Sequence, residues 1–274
     1  MNRKKNKTDF STYKVMGILN LTEDSFYDGG RYNNIEKILS HTKKMIDEGA
    51  HIIDIGAQSS RPGSEENSEK TELRKIIPTL KEIRKFFPNI LISVDTYRSK
   101  IAEESINNGA DIINDISAGD LDKNMFNIIA KYKVPYIIMH MKGTPKNMQK
   151  NPTYQNVVDE IINYFQKKIR DLNNLNIDRL IIDPGFGFGK TLEHNYEILN
   201  NLDKFESLNY PILTGFSRKS MISKILEIEA DQAQNGTSIL NTMALNKGAS
   251  LLRVHDVKEA IECIKIVNFA KNKL

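Results

Sequence analysis

A chain of 274 residues with 39% hydrophobic side chains holds enough apolar mass for one closed α/β barrel, although length alone does not count domains. Its 39 Lys and Arg against 35 Asp and Glu are scattered over presumptive helix faces, which argues against a nucleic-acid partner and for a solvated surface with a local anion pocket. One cysteine, Cys263, excludes an intrachain disulfide and fits a reducing, cytoplasmic compartment.

Met1 to Phe10 is basic and polar with no apolar core behind it, so it does not read as a secretory signal. The longest apolar runs, such as Val134 to Met139, are too short to cross a bilayer, which predicts a soluble protein with no membrane partner. Residues 1–12 read as a polar tail and 13–274 as one domain.

Taken in chain order, a strand at Val15–Leu19 leads to a helix at Ile35–Glu48, and a strand at Ile52–Ile55 to a helix at Glu69–Phe86. Leu91–Val94 is followed by a helix at Ser99–Asn107. Further strands are Ile112–Ile113 and Tyr136–Met139, with a helix at Tyr154–Asn174, and the series closes with Leu180–Ile182, Ile212–Leu213 and Leu251–Val254. Near-continuous apolarity suits parallel strands buried on both faces. Gly49, Gly109 and Gly248 stand where helices end before the next strand. Eight such units in one chain predict a single-domain (β/α)8 TIM barrel; an open doubly-wound sheet is the alternative.

The strands run out into residues that bond or carry charge: Asn20, Asp54, Asp95, Asn114 and Asp115, His140, Asp183, Ser217 to Lys219, and Arg253 with His255. A barrel gathers these on one rim, where such folds place their chemistry. Two stretches on that rim, 20–32 and 57–68, exceed an ordinary βα connection and are read as loops that close over ligand. Asp183 to Thr191 resembles a phosphate-binding loop, but Pro184 stands where its first glycine belongs, and Lys190 spoils a dinucleotide fingerprint. His140 and His255 lack the close spacing of zinc ligands. The Asn20 amide oxygen is the better metal candidate, helping a Mg²⁺ that arrives with its own phosphates.

In order, the blocks GILNLTEDSFYDGG (Gly17 to Gly30), DIGAQSSRPG (Asp54 to Gly63), SVDTYRS (Ser93 to Ser99), DIINDISA (Asp111 to Ala118), IIMHMKGTPKNMQ (Ile137 to Gln149), IIDPGFGFGK (Ile181 to Lys190), TGFSRKS (Thr214 to Ser220) and LLRVHDV (Leu251 to Val257) resemble the dihydropteroate synthase family over nearly every barrel unit. The resemblance implies a homodimeric, Mg²⁺-using enzyme that condenses 6-hydroxymethyl-7,8-dihydropterin diphosphate with p-aminobenzoate by an SN1-like loss of diphosphate. It implies Asp183, with Asp95 and Asn114, on the donor edge of the pterin, and Lys219 on its carbonyl and N5 side. Arg253 is expected on the ring face, with Met139 as a wall. Asn20, Ser60, Arg61, Arg253 and His255 are expected at the diphosphate. Phe26, Asp28, Arg61 and Pro62 are expected around the arylamine, with Phe188 as a wall and Ser217 near its carboxylate. The chemistry is expected to rest on Asp28, Arg61, Asp95, Lys219, Arg253 and His255.

Glu23 stands where the family pattern has proline, and GAQSS replaces a more usual GGEST, so that Ala57, Gln58 and Ser60 differ. Competing readings are a methyltetrahydrofolate-to-corrinoid methyltransferase domain, an aldolase using Lys219 as its Schiff-base lysine, and a non-catalytic pterin-binding relative. SSRPG and SRKS weigh against the first, because methyl transfer needs no diphosphate site.

Overall fold

The computed structural model describes residues 9–21, 31–58 and 67–271. Eight parallel strands close in sequence order into a barrel: β1 (Lys14–Asn20), β2 (Ile52–Gly56), β3 (Leu91–Asp95), β4 (Ile112–Asp115), β5 (Tyr136–Met139), β6 (Leu180–Asp183), β7 (Ile212–Thr214) and β8 (Ala249–Val254). The seam is a direct β1–β8 pairing, with Val15 opposite Leu252 and Met16 opposite Arg253. The helices, in chain order, are α1 (Arg31–Asp47), α2 (Glu69–Phe86), α3 (Ser99–Asn107), α4 (Met125–Tyr132), α5 (Val157–Asn173), α6 (Leu192–Asn200), α7 (Ser220–Leu226), α8 (Gln234–Asn246) and α9 (Val257–Lys271). Every predicted strand is present, extended by up to two residues at an end. Gly49, Gly109 and Gly248 take φ of +105°, +106° and +94° at the ends of α1, α3 and α8.

The helix expected from Tyr154 begins instead at Val157, because Asn156 caps it, its side chain accepting from the Asp159 amide at 3.0 Å. Tyr154 turns away and donates its hydroxyl to the Gly189 carbonyl at 2.7 Å, tying the loop after β5 to the loop after β6.

Two apolar layers hold the fold. Outside the sheet, Val15, Ile53, Ile55, Val94, Ile113, Ile138 and Ile182 pack against the helices. Inside, Met16, Ile52, Leu91, Ile112, Ile137, Ile181, Leu213 and Leu251 fill the barrel, and Phe10, in the stretch read as a tail, packs against this layer. Because strand side chains alternate faces, counting by two from the inner layer names what else points inward. One step reaches Asp54, Ser93, Asn114, Met139, Asp183 and Arg253; a second reaches Asn20, Gly56, Asp95 and His255. The barrel is thus apolar below and charged at its C-terminal mouth.

Candidate functional site

Arg253 is the hub of the mouth. Its Nε donates to Asp54 Oδ2 at 2.7 Å and its terminal nitrogen to Asp95 Oδ2 at 2.8 Å, so one planar guanidinium bridges β8 to β2 and β3. Asn114, from β4, donates its amide to the same Asp54 oxygen at 3.1 Å. Asp54 is wholly buried, and its other oxygen has no hydrogen-bond partner among the described residues. Burial pushes the Asp95 carboxyl up to about 7, with Arg253 pulling the other way and Asp54 adding repulsion. Burial also opposes the charge on Arg253, but Asp54 and Asp95 outweigh it and hold its pKa above the ordinary value.

Across the mouth, Asp183 at the end of β6 accepts the Gly185 amide at 2.7 Å. Burial raises its carboxyl against the pull of Lys219, that amide, Lys190 and Arg253. Gly185 has φ of +74°, and a β-carbon there would strike the His140 carbonyl, so the turn that aims this amide admits only glycine. Lys219 reaches in from the start of α7, donates to the Phe186 carbonyl at 2.6 Å and lies 5.1 Å from the centre of the Phe188 ring. A β-carbon at Gly215 would sit 3.8 Å from both Lys219 Nζ and Arg253 Cβ, so the two cations line one wall. Met139 is buried beside Gly185. The aspartate, the lysine and the arginine therefore share a single pocket at the barrel mouth.

Burial lowers the Lys219 pKa to about 8, while Asp183 works to raise it. The ammonium is present below that pH and lost above it. The kcat/KM of any reaction that uses this cation is therefore expected to fall with an apparent pKa near 8 on the alkaline side, and Lys219→Arg should move that limb upward. A flat profile from pH 7 to 10 would remove Lys219 from the site.

At the rim, Ser217 Oγ accepts the His255 amide at 3.2 Å and lies 2.9 Å from its Nδ1, which fixes the imidazole's orientation. Asn20 Oδ1 and Asp95 Oδ2 each lie 3.7 Å from the point a β-carbon on Gly56 would occupy. Among the described residues no group of three or more His, Cys, Asp or Glu is placed to hold a metal. A neutral amide oxygen beside one carboxylate is no cage, but it does fit a hard cation whose remaining ligands are water and phosphate.

Other strand-end residues do not reach the pocket. Asp115 lies on the outer face of β4, where its carboxylate accepts from Ser117, Gly119 and the Tyr136 hydroxyl. His140, on the outer face of β5, stacks edge-on against Tyr164, and its Nδ1 lies 3.1 Å from the buried Lys190 Nζ. Burial and that lysine hold His140 neutral, its pKa driven to about 2. The expected Phe26, Asp28, Ser60, Arg61 and Pro62 lie outside the described residues, as do most of the two long loops. Asp54 was expected on the rim but given no role there, although two-residue counting from Ile52 turns it into the barrel. For Lys190, buried behind the pocket, no sequence signal was available, because its partners are backbone carbonyls of Phe188 and His140.

A family model described as pterin binding enzyme matches residues 16–255. The chain is 42% identical over 260 residues to the dihydropteroate synthase of Haemophilus influenzae, covering 94% of each. A crystal structure of Yersinia pestis dihydropteroate synthase with a sulfonamide drug superposes with a TM-score of 0.90 at 40% identity, covering 96% of each chain. The Xanthomonas albilineans enzyme in complex with 7,8-dihydropteroate gives 0.85 at 32% identity, over 96% of this chain and 95% of that one. With a closed barrel, a charged mouth and likeness over nearly its whole length, the chain belongs to the dihydropteroate synthases, pterin-binding transferases of folate biosynthesis.

Proposed function

We propose that the pocket takes 6-hydroxymethyl-7,8-dihydropterin diphosphate and p-aminobenzoate, with the pterin seated on the acidic side and the diphosphate under the cations. Supporting this is one juxtaposition: the Asp183 carboxylate facing the Lys219 and Arg253 cations across a pocket floored by Asp54, Asp95 and Asn114. A pterin presents adjacent ring and amino N–H donors, which a desolvated carboxylate binds strongly; Asp183 holds that edge, and Asp95 and Asn114 extend the polar floor. Lys219 donates to the carbonyl and N5 side, Met139 walls the ring, and Arg253 offers it the flat face of its guanidinium.

Cleavage of the methylene C–O bond leaves added negative charge on the diphosphate. Fixed cations and donors at Arg253, His255 and Asn20, joined by Ser60 and Arg61, stabilise that charge more in the transition state than in the ground state. The electron-rich dihydropterin spreads the positive charge left on carbon, so the displacement runs SN1-like. The neutral arylamine nitrogen then attacks, and its proton leaves afterwards, with no strong general base required. Phe26, Asp28, Arg61 and Pro62 close round the arylamine, with Phe188 as a wall and Ser217 toward its carboxylate. Mg²⁺, when bound at Asn20 with the diphosphate, supplies further charge neutralisation.

We further propose a homodimer, supported by exposed apolar side chains carried on neighbouring helices: Ile225 and Leu226 on α7, Ile239 on α8, and Ile266 and Phe269 on α9. A cytoplasmic setting is consistent with a single free cysteine. Among the described residues no helix is long and apolar enough to cross a membrane.

Incubating the pure protein with the pterin diphosphate and p-aminobenzoate should yield 7,8-dihydropteroate and diphosphate in equal amounts. No 7,8-dihydropteroate with both substrates present overturns the assignment.

A further inference from the structure

The ends of the segment 59–66, which carries Ser60, Arg61 and Pro62, are joined by a network that no role above uses. The Gln58 amide forms a ring of two hydrogen bonds with the backbone of Asn67: its oxygen accepts the Asn67 amide at 3.0 Å, and its nitrogen donates to the Asn67 carbonyl at 3.0 Å. The same nitrogen donates to Glu72 Oε2 at 3.1 Å. Asn67 returns the contact, donating its side-chain amide to the Ala57 carbonyl at 2.6 Å. Glu72 is fully buried in α2. It accepts from the Thr96 hydroxyl at 2.8 Å and is paired with Arg98, whose other terminal nitrogen donates to the Asn67 carbonyl at 2.9 Å. Thr96 follows Asp95 directly, so the network runs from the roots of the segment to the end of β3 that meets Arg253.

The partners dictate the chemistry at position 58. An N–H faces one end of its side chain, while a carbonyl and a carboxylate face the other, so an amide serves both and an ionised carboxylate does not. Glutamate, which the family pattern carries at this position, would here lose two donations and bring a second carboxylate against Glu72.

We propose that Gln58, with Glu72 and Arg98, is a positioning clamp that sets the segment 59–66 for the second substrate. This rests on the reading that Arg61 and its neighbours meet the arylamine. Gln58 touches no reacting atom; it acts through the placement of the residues that follow it.

Gln58→Ala and Gln58→Glu are each expected to raise the KM for p-aminobenzoate about tenfold. The affinity for the pterin diphosphate, measured alone by calorimetry, should stay within about twofold, since Asp183 and Lys219 lie elsewhere on the rim. In Gln58→Glu only, the KM should recover as pH falls from 8 to 6. The charged groups facing position 58 among the described residues are Glu72 and Arg98, and a proton on the new carboxyl restores a donor toward Glu72. A structural defect alone would show no such pH dependence.

Cleavage after Glu65 or Glu66 by a glutamyl endopeptidase reads the clamp without catalysis and should quicken severalfold in both variants. Arg61→Ala, assayed alongside, tests the underlying reading. If cleavage quickens but Arg61→Ala leaves both kcat and KM untouched, the reading of the segment has failed and the clamp stands. If cleavage is unchanged, or Arg61→Ala raises the KM and neither Gln58 variant does, the clamp has failed.

Discussion

Arg253→Met should cost the fold about 3–5 kcal/mol and slow diphosphate release by roughly 10²–10³-fold. The stability loss follows from what methionine leaves behind. Asp54, wholly buried, and Asp95 would face one another without the guanidinium that now bridges them at 2.7 and 2.8 Å. The pH dependence identifies the cause. Burial already lifts Asp95 from 3.8 to about 7, and removing its cation lifts it further. The folded variant then holds a proton that the unfolded chain has lost, so its stability must fall as pH rises through this range. Urea denaturation should therefore show a larger deficit against the parent at pH 8 than at pH 5. Lys at this position keeps the charge but cannot bridge two carboxylates with one planar fork, so Arg253→Lys should recover only part of the stability and little of the rate. A deficit under 1 kcal/mol, or one equal at both pH values, would show that the arginine is not what holds these carboxylates.

Asp183→Asn should weaken binding of the pterin diphosphate about a hundredfold by calorimetry, close to 2.7 kcal/mol, with little change in folding. Asparagine can keep the bond from the Gly185 amide through its oxygen, so the turn survives. It turns an acceptor-only edge into one that is half donor, against a substrate edge of donors. It also deletes the charge that works to raise the Lys219 pKa, so the alkaline limb of kcat/KM should move below about 8. Affinity within threefold of the parent would mean that the heterocycle is held elsewhere.

The barrel was legible because its strands are short apolar runs separated by helical periodicity, and local composition suffices to mark these. The end of α5 nearest β5 was misplaced by three residues because apolar pattern extends past Asn156, while the cap depends on one side chain reaching the Asp159 amide. Asp183, Lys219, Arg253, Asn114 and Asp95 were legible as strand-end polar residues and do meet at one mouth. Asp115 and His140 carried the same signal and fell outside it. The difference is parity: Asn114 and Met139 lie an even count from the inner apolar layer, and Asp115 and His140 an odd one. Asp54 satisfies the same even count and shows what the rule adds.

From the order of residues alone came the eight βα units, the apolar strands and the polar residues at their ends, because each is a property of neighbours along the chain. Which of those polar residues share a pocket, that one arginine bridges two strands on the far side of the barrel seam, and that Gln58 binds Asn67 were decided only on closure. These contacts join positions far apart in sequence, and the burial that shifts Asp95 and Lys219 toward neutrality exists only once the strands have met.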